Sequence, residues 1–254
     1  MTSATPMLRT RGLAKEFTGF RAVDDVELDV MPGTIHALVG PNGAGKTTLF
    51  NLLTGFLKPS AGTIEIDGHD VTGMRPERIA QRGVARSFQI TSLFDELTLA
   101  EHVELALQGR DGQGYRFWRS DKKLRRYRGE TADLLEQVGL ADHASRPAGS
   151  LAYGQKRALE LALALALSPR LLLLDEPTAG MGAEDVTRTI ELIQRVRADR
   201  TVVLVEHNMK VVGDLTDRVT VLQFGKVLAE GPYEQVRADP RVITAYLGES
   251  VAQR

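Results

Sequence analysis

The chain has 254 residues, 43% hydrophobic and 26% charged, with 32 Lys and Arg against 33 Asp and Glu and a formal net charge of −1. That length suits one large domain or two small ones with a substantial core, and the near-neutral balance excludes a global pull toward nucleic acid or anionic lipid. Cysteine is absent, which excludes disulfides and thiolate metal sites; the longest uninterrupted apolar run, Leu161 to Leu167, is far below the ~20 residues that span a bilayer.

From the N-terminus, "MTSATPMLRTRGL" lacks the apolar core of a signal peptide, so the chain is expected to cross no membrane by itself. In "VELDV", Val26, Leu28 and Val30 alternate with polar residues. A turn at Pro32-Gly33 and the run "TIHALV" follow, which predicts antiparallel pairing that feeds a buried strand. Directly after it stands "GPNGAGKTT", residues 40 to 48. "GTIEIDG" predicts another short strand bounded by glycines. At "TLAE" the pattern turns helical, with Thr98 as N-cap and Glu101 returning to it in a capping box. Helical character continues through "RGETADLLEQVGL" to "GQKRALELALALALSP", where Pro169 ends it. Then come "LLLLDEP", a helix from about Ala183 to Arg197, "TVVLVEH", and a strand, tight turn and strand in "RVTVLQFGKVLAEG". Buried β-runs alternating with helices predict an α/β fold with a parallel sheet, an antiparallel annex in front and a helical insert in the middle.

Gly40, Gly45, Lys46 and Thr47 fit the phosphate-cradle pattern G-x-x-x-x-G-K-[ST] between a strand and a helix start. Glycines let successive N–H groups turn inward on a phosphate, and the helix aims the positive end of its dipole at the same point. The run Asn42, Gly43, Ala44, Gly45, Lys46, Thr47 and Thr48 then lines the nucleotide. Lys46 reaches the β- and γ-phosphates, and the Thr47 hydroxyl reaches Mg²⁺. In "LLLLDEP" the four leucines have the length of a strand buried on both faces, and acids at its carboxyl end emerge where open α/β sheets bind ligands. Asp175 there suits the metal side and Glu176 a general base against water. In "SLAYGQKRALELALAL" a short polar and glycine turn opens a second helix able to hold phosphate oxygens.

With these three motifs in this order, the chain resembles the nucleotide-binding subunit of an ATP-binding cassette (ABC) transporter, over essentially its whole length. The resemblance implies a P-loop NTPase with a RecA-like core, an antiparallel β subdomain and an α-helical subdomain. It makes residues 1–254 one nucleotide-binding domain, the core and β subdomain about 1–92 and 169–254 and the helical part about 93–168. It implies ATP and Mg²⁺, with Asp175 holding the ion through water. "LAYGQ", Leu151, Ala152, Tyr153, Gly154 and Gln155, stands where the family usually has L-S-G-G-Q and would complete the ATP site of the opposite subunit. Phe17 falls where the family stacks an aromatic on adenine, with Val23 beside it. Gln89 in "RSFQ" matches the glutamine that touches Mg²⁺ and the attacking water. His207 in "VEHN" matches the switch histidine at the γ-phosphate. In "AGMGAE", Met181 and Gly182 hold the D-loop, with Gly182 where an aspartate is usual. Ala152 replaces the usual signature serine.

"RSFQ", "LAYGQ", "EPTAGM", "VEHNM" and the ending "AYLGES" resemble the branched-chain amino acid importer ATPases within that family. Urea or amide importers and lipopolysaccharide-export ATPases stand as alternatives. The implied partners are a second ATPase subunit, identical or a paralogue, transmembrane permease subunits, and indirectly a solute-binding protein. Ile90, Leu93, Phe94 and Leu97 are the expected apolar contacts for the permease, on the inner face of the cell membrane. ABC-type ATPases acting on nucleic acid or ribosomes are the alternative of another class. They typically carry a long coiled coil or a second cassette, whereas only residues 90 to 150 separate Gln89 from Leu151 here, and no nucleic acid is expected. The basic run Arg116 to Arg128, interleaved with Phe117, Trp118 and Tyr127, reads first as a solvated helix face, then as a contact for lipid headgroups.

Overall fold

The computed structural model describes residues 5–87, 93–112 and 121–252, with the backbone alone for 121–126 and 247–252. Strands β1 (Leu8–Phe17) and β2 (Phe20–Val30) form a long antiparallel hairpin, closed by Thr18 and Gly19 at φ 43° and 86°. Two successive positive φ values match the right-handed twist of the flanking strands. Strand β3 (Ile35–Val39) is buried at every position and runs through the glycine loop into α1 (Lys46–Leu53). Then come β4 (Ala61–Ile66), β5 (His69–Asp70), α2 (Pro76–Ala80) and β6 (Val84–Ser87). Helices α3 (Leu99–Arg110), α4 (Asp121–Gln137) and α5 (Tyr153–Ala166) form the insert before β7 (Leu171–Asp175). The chain finishes with α6 (Ala183–Val196), β8 (Thr201–Val205), α7 (Met209–Leu215), β9 (Arg218–Gln223), β10 (Lys226–Gly231), α8 (Tyr233–Arg237) and α9 (Pro240–Ala252). No helix among the described residues is long and apolar enough to cross a membrane.

Two sheets carry these elements. One has the order β2-β1-β4-β5 and is antiparallel; the other has the order β10-β9-β3-β8-β7-β6 and is parallel except for β10. The expected pairing across Pro32-Gly33 does not form: β2 belongs to the first sheet and β3 to the second. Burial explains the difference. In β2 buried and exposed positions alternate, as in a strand with one covered face, whereas Ile35 to Val39 are buried throughout and fit only the middle of a parallel sheet.

The larger sheet is a wall shared by two apolar layers. Leu172 and Leu174 of β7 and Val202 and Leu204 of β8 face one layer, which also takes Val103, Leu107, Leu135, Leu159 and Leu165 from the helical insert. Leu171, Leu173, Val203 and Val205 face the other, with Phe50 and Leu53 of α1 and Leu8, Leu13 and Val26 of the antiparallel sheet. This period of two means that every residue of the leucine run is used. The helical insert therefore packs on the same layer as one face of the sheet.

The capping box at α3 forms as the sequence indicates: the Glu101 N–H donates to Thr98 Oγ1 at 3.2 Å, and the Thr98 N–H donates to Glu101 Oε2 at 2.8 Å. Helix α5 ends at Ala166, before Pro169, with Ser168 at φ 50°.

Candidate active site

Because β3, β7 and β8 run parallel and side by side, their carboxyl ends bring three loops to one edge of the sheet. The first is the glycine loop. Gly40, Gly43 and Gly45 have φ of 147°, 76° and 101°. A Cβ at Gly40 would stand 2.2 Å from the Leu222 carbonyl oxygen, and one at Gly45 2.3 Å from that of Ala22, so backbone packing alone demands glycine at both. Lys46 is buried, and its ammonium donates to the Gly40 and Pro41 carbonyls at 2.6 and 2.9 Å. Asn42, Gly43 and Thr47 are exposed, Gly45 and Thr48 half-buried, and Ala44 is buried with its carbonyl accepting from Gly225 N–H at 3.0 Å. No acidic residue lies in the first turn of α1, so its positive end is open to an anion.

The second and third loops meet. Glu176 follows β7 at φ 48°, and its N–H donates to the Val205 carbonyl at 3.0 Å, so the acid is tied to the end of β8. From beyond β8, His207 brings Nε2 within 2.6 Å of Glu176 Oε1. A carboxyl group and an imidazole thus stand in hydrogen-bond contact at the strand edge, the side-chain types that can pass a proton.

Asp175 is 3% exposed and pairs with Arg86, whose Nη2 donates to Asp175 Oδ2 at 2.7 Å. The same guanidinium donates to Asn51 Oδ1 on α1 at 2.6 Å and lies 5.5 Å from the Phe50 ring centroid. Arg86 thus ties β6, β7 and α1 together with one planar fork. The sequence reading missed it: "RSFQ" drew attention to its glutamine, and no periodicity signals a pairing across 89 residues. Among the described residues no group of three or more His, Cys, Asp or Glu side chains has a metal-holding arrangement.

The remaining expected residues are distributed as follows. Phe17 ends β1, 41% exposed, with the Lys15 ammonium 5.0 Å from its ring centroid. Val23 is buried at 1% exposure, in register with Lys15, so it offers no side-chain surface beside Phe17. At the start of α5, Leu151 is buried while Ala152 and Tyr153 are exposed, and Gln155 Oε1 accepts from the Ala152 N–H at 3.1 Å. The Tyr153 ring lies 3.5 Å from where a Gly180 Cβ would stand, and the Asp185 carboxyl carbon lies 2.8 Å from that point on Gly154. The signature turn therefore rests against the segment holding Met181, half-buried, and Gly182, exposed at the N-cap of α6. Gln89 and Ile90 lie outside the described residues, as do the side chains of most of the basic run. Leu93 and Leu97 are half-buried, and Phe94 is 65% exposed.

The family described as ABC transporter matches residues 23–179, and that described as Branched-chain amino acid ATP-binding cassette transporter matches residues 226–252. The high-affinity branched-chain amino acid transport ATP-binding protein BraF of Pseudomonas aeruginosa is 41% identical over 255 residues, covering 96% of this chain and 99% of BraF. A nucleotide-free ATP-binding cassette from an ABC transporter matches with a TM-score of 0.83 at 28% identity, over 94% of this chain and 98% of that one. A bacterial ABC transporter cassette solved as a dimer matches at 0.76 and 26%, over 89% and 99%. With its glycine loop, its Glu176–His207 pair and this likeness along nearly its full length, the chain belongs to the ATP-binding cassette family of ABC transporters, as a nucleotide-binding ATPase.

Proposed function

We propose that this chain powers an importer of branched-chain amino acids, as one of two cassettes, identical or paralogous, docked on transmembrane permease subunits at the inner membrane face. A solute-binding protein delivers the amino acid from the other side. The observation that carries the hydrolytic part is the convergence of residues 40–48, Asp175, Glu176 and His207 at one sheet edge. The likeness to BraF over nearly the full length of both chains supports the solute.

In this reading Asn42, Gly43, Ala44, Gly45 and Thr48 wrap the phosphates, and Lys46 exchanges its loop carbonyls for β- and γ-phosphate oxygens. Thr47 and Asp175 are hard oxygen donors of the kind Mg²⁺ takes and would hold the ion, Asp175 by way of a water. The ion, when bound, neutralises charge on the transferring phosphoryl group. Glu176 accepts the proton of the attacking water, His207 orients the γ-phosphate, and Gln89 would serve the ion and that water. Phe17 stacks on adenine. Leu151, Ala152, Tyr153, Gly154 and Gln155 cover the nucleotide of the second cassette, with Met181 and Gly182 alongside. Residues of about 1–92 and 169–254 form the core and β subdomain, and about 93–168 the helical subdomain, where Leu93, Phe94 and Leu97, with Ile90 before them, seat the permease.

The test uses membranes containing the complete transporter. Glu176→Gln is expected to keep ATP affinity, to lower hydrolysis by ~10²-fold or more, and to stop leucine, isoleucine and valine uptake. Near-parental hydrolysis by the variant would remove Glu176 as base. A parent complex that takes up urea or an amide and no branched-chain amino acid would overturn the solute.

A further inference from the structure

Glu206, directly before His207, is 3% exposed and has no part in the chemistry above. Its Oε1 accepts from the Thr178 N–H at 3.0 Å and from the Thr178 hydroxyl at 2.6 Å. Its Oε2 accepts from the N–H groups of His207 at 3.1 Å and Asn208 at 3.3 Å. Four donors from two loops thus converge on one buried carboxyl group. Thr178 is the middle of a double turn: Ala179 N–H donates to the Glu176 carbonyl at 3.1 Å, and Met181 N–H to the Thr178 carbonyl at 3.3 Å. On the other side Asn208 caps α7, its Oδ1 accepting from the Lys210 and Val211 N–H groups.

We propose that Glu206 is a positioning residue for hydrolysis: it clasps the turn from Glu176 to Met181 onto the loop of His207. The base, the imidazole and the Met181-Gly182 segment then hold one geometry and move as a unit. This rests on the reading of Glu176 and His207 given above. A buried carboxyl group with four donors on a surface loop costs desolvation that a threonine or valine would avoid, and the donors it satisfies are those that set the two catalytic side chains. Glu176 and His207 reach each other from segments 31 residues apart; the β7–β8 ladder sets the register up to Asp175 and Val205, and beyond the last ladder bond, from Glu176 N–H to the Val205 carbonyl, Glu206 joins the two loops. Misplacement of a catalytic group by an ångström lowers the rate without touching the phosphate cradle, where ground-state binding resides.

The experiment measures ATP turnover, ATP affinity and thermal midpoint for the full chain with Glu206→Ala, Glu206→Gln, Thr178→Val and Glu206→Gln with Thr178→Val, beside Glu176→Gln. Glu206→Ala is expected to lower kcat by about ten- to a hundredfold, while Kd for ATP stays within about threefold. Glu206→Gln keeps an acceptor for one loop only and falls between. Thr178→Val resembles it, and the double variant is no worse than the poorer single one, because both break the same clasp. A folded Glu206→Ala with parental kcat overturns the proposal however far its midpoint falls, and so does affinity lost in proportion to rate. Should Glu206→Ala fail to fold, the glutamine and valine variants decide by the same criteria. Near-parental turnover by Glu176→Gln would instead remove the base on which the proposal rests; its loss of turnover beside unchanged Glu206 variants removes the clasp alone.

Discussion

His36 sits in the middle of β3, fully buried, with Nε2 2.7 Å from Thr220 Oγ1 and no hydrogen-bond partner for Nδ1. Burial, and secondarily the Arg218 guanidinium, push its pKa from the ordinary 6.5 down to about 4. The fold therefore holds the imidazole neutral while the unfolded chain protonates it below 6.5, so stability is full above that value and drains as pH falls toward 4. Between pH 7.5 and pH 5 this one residue is expected to remove about 2 kcal/mol of unfolding free energy. Urea unfolding of the parent and of His36→Val at both pH values checks this. The parent should lose about 2 kcal/mol more than the variant, and equal losses would show that His36 does not carry the dependence. The ion pair of Arg86 with Asp175 belongs at the same scale. It is buried and asymmetric in its consequences, since removing either partner strands the other's charge away from water.

Among the elements, α3 shows how a short signal fixes a boundary. Thr98 Oγ1 accepts the Glu101 N–H, and the Thr98 carbonyl accepts from His102 N–H at 3.1 Å and approaches its Nδ1 at 2.9 Å. Thr98→Ala is expected to cost about 1 kcal/mol of unfolding free energy, with Thr98→Ser near neutral, as read by chemical denaturation. Equal stability of all three would mean that the tertiary contacts of α3 set its start without the cap. Signals of this kind, local and chemically specific, were what made the sequence readable. The glycine loop, the leucine run ending in Asp175, the cap at Thr98 and the tight turn at Phe224-Gly225, both with positive φ, each name their structure within a few residues. What stayed hidden was non-local. Strand β6, "VARS", is half polar because Arg86 turns inward to a partner 89 residues away, so it has neither strand alternation nor a buried run. Glu206 carries no signal in the sequence, because three of its four donors are backbone N–H groups that no side-chain pattern announces. The pairing across Pro32-Gly33 failed because a turn fixes direction but not sheet membership, which burial on both faces decided.

For the whole molecule, the proposed closure of two cassettes over shared nucleotide depends on the start of α5. Ala152 is exposed and is the N-cap of that helix, with no side-chain cap. Ala152→Ser thus does two things. It caps α5, worth about 1 kcal/mol in the monomer, and it offers the partner's phosphate a charge-assisted hydrogen bond of about 1.5 to 3 kcal/mol. Ala152→Asp caps equally well but brings a negative charge to the phosphate. In the Glu176→Gln background at limiting ATP, sedimentation is expected to show dimerisation strengthened by roughly tenfold or more for serine and weakened for aspartate, with similar gains in monomer stability. If serine and aspartate move dimerisation together, the effect comes from the helix cap and residue 152 does not face nucleotide.

The two-layered wall has a consequence for insertions and deletions. A slip of β7 by one residue would send Leu171 and Leu173 to the layer now filled by Leu172 and Leu174, and since all four are leucine, the oily interior would scarcely register the change. Asp175 and Glu176 would register it at once, for their side chains would trade faces. The strand's memory of its position therefore lies at its two ends. At one end the Arg170 and Leu171 N–H groups donate to the Gly83 carbonyl at 2.8 and 3.0 Å; at the other stand Arg86 on Asp175 and Val205 on Glu176. Hydrophobicity makes this segment a strand, and a few polar anchors tell it which residue comes last.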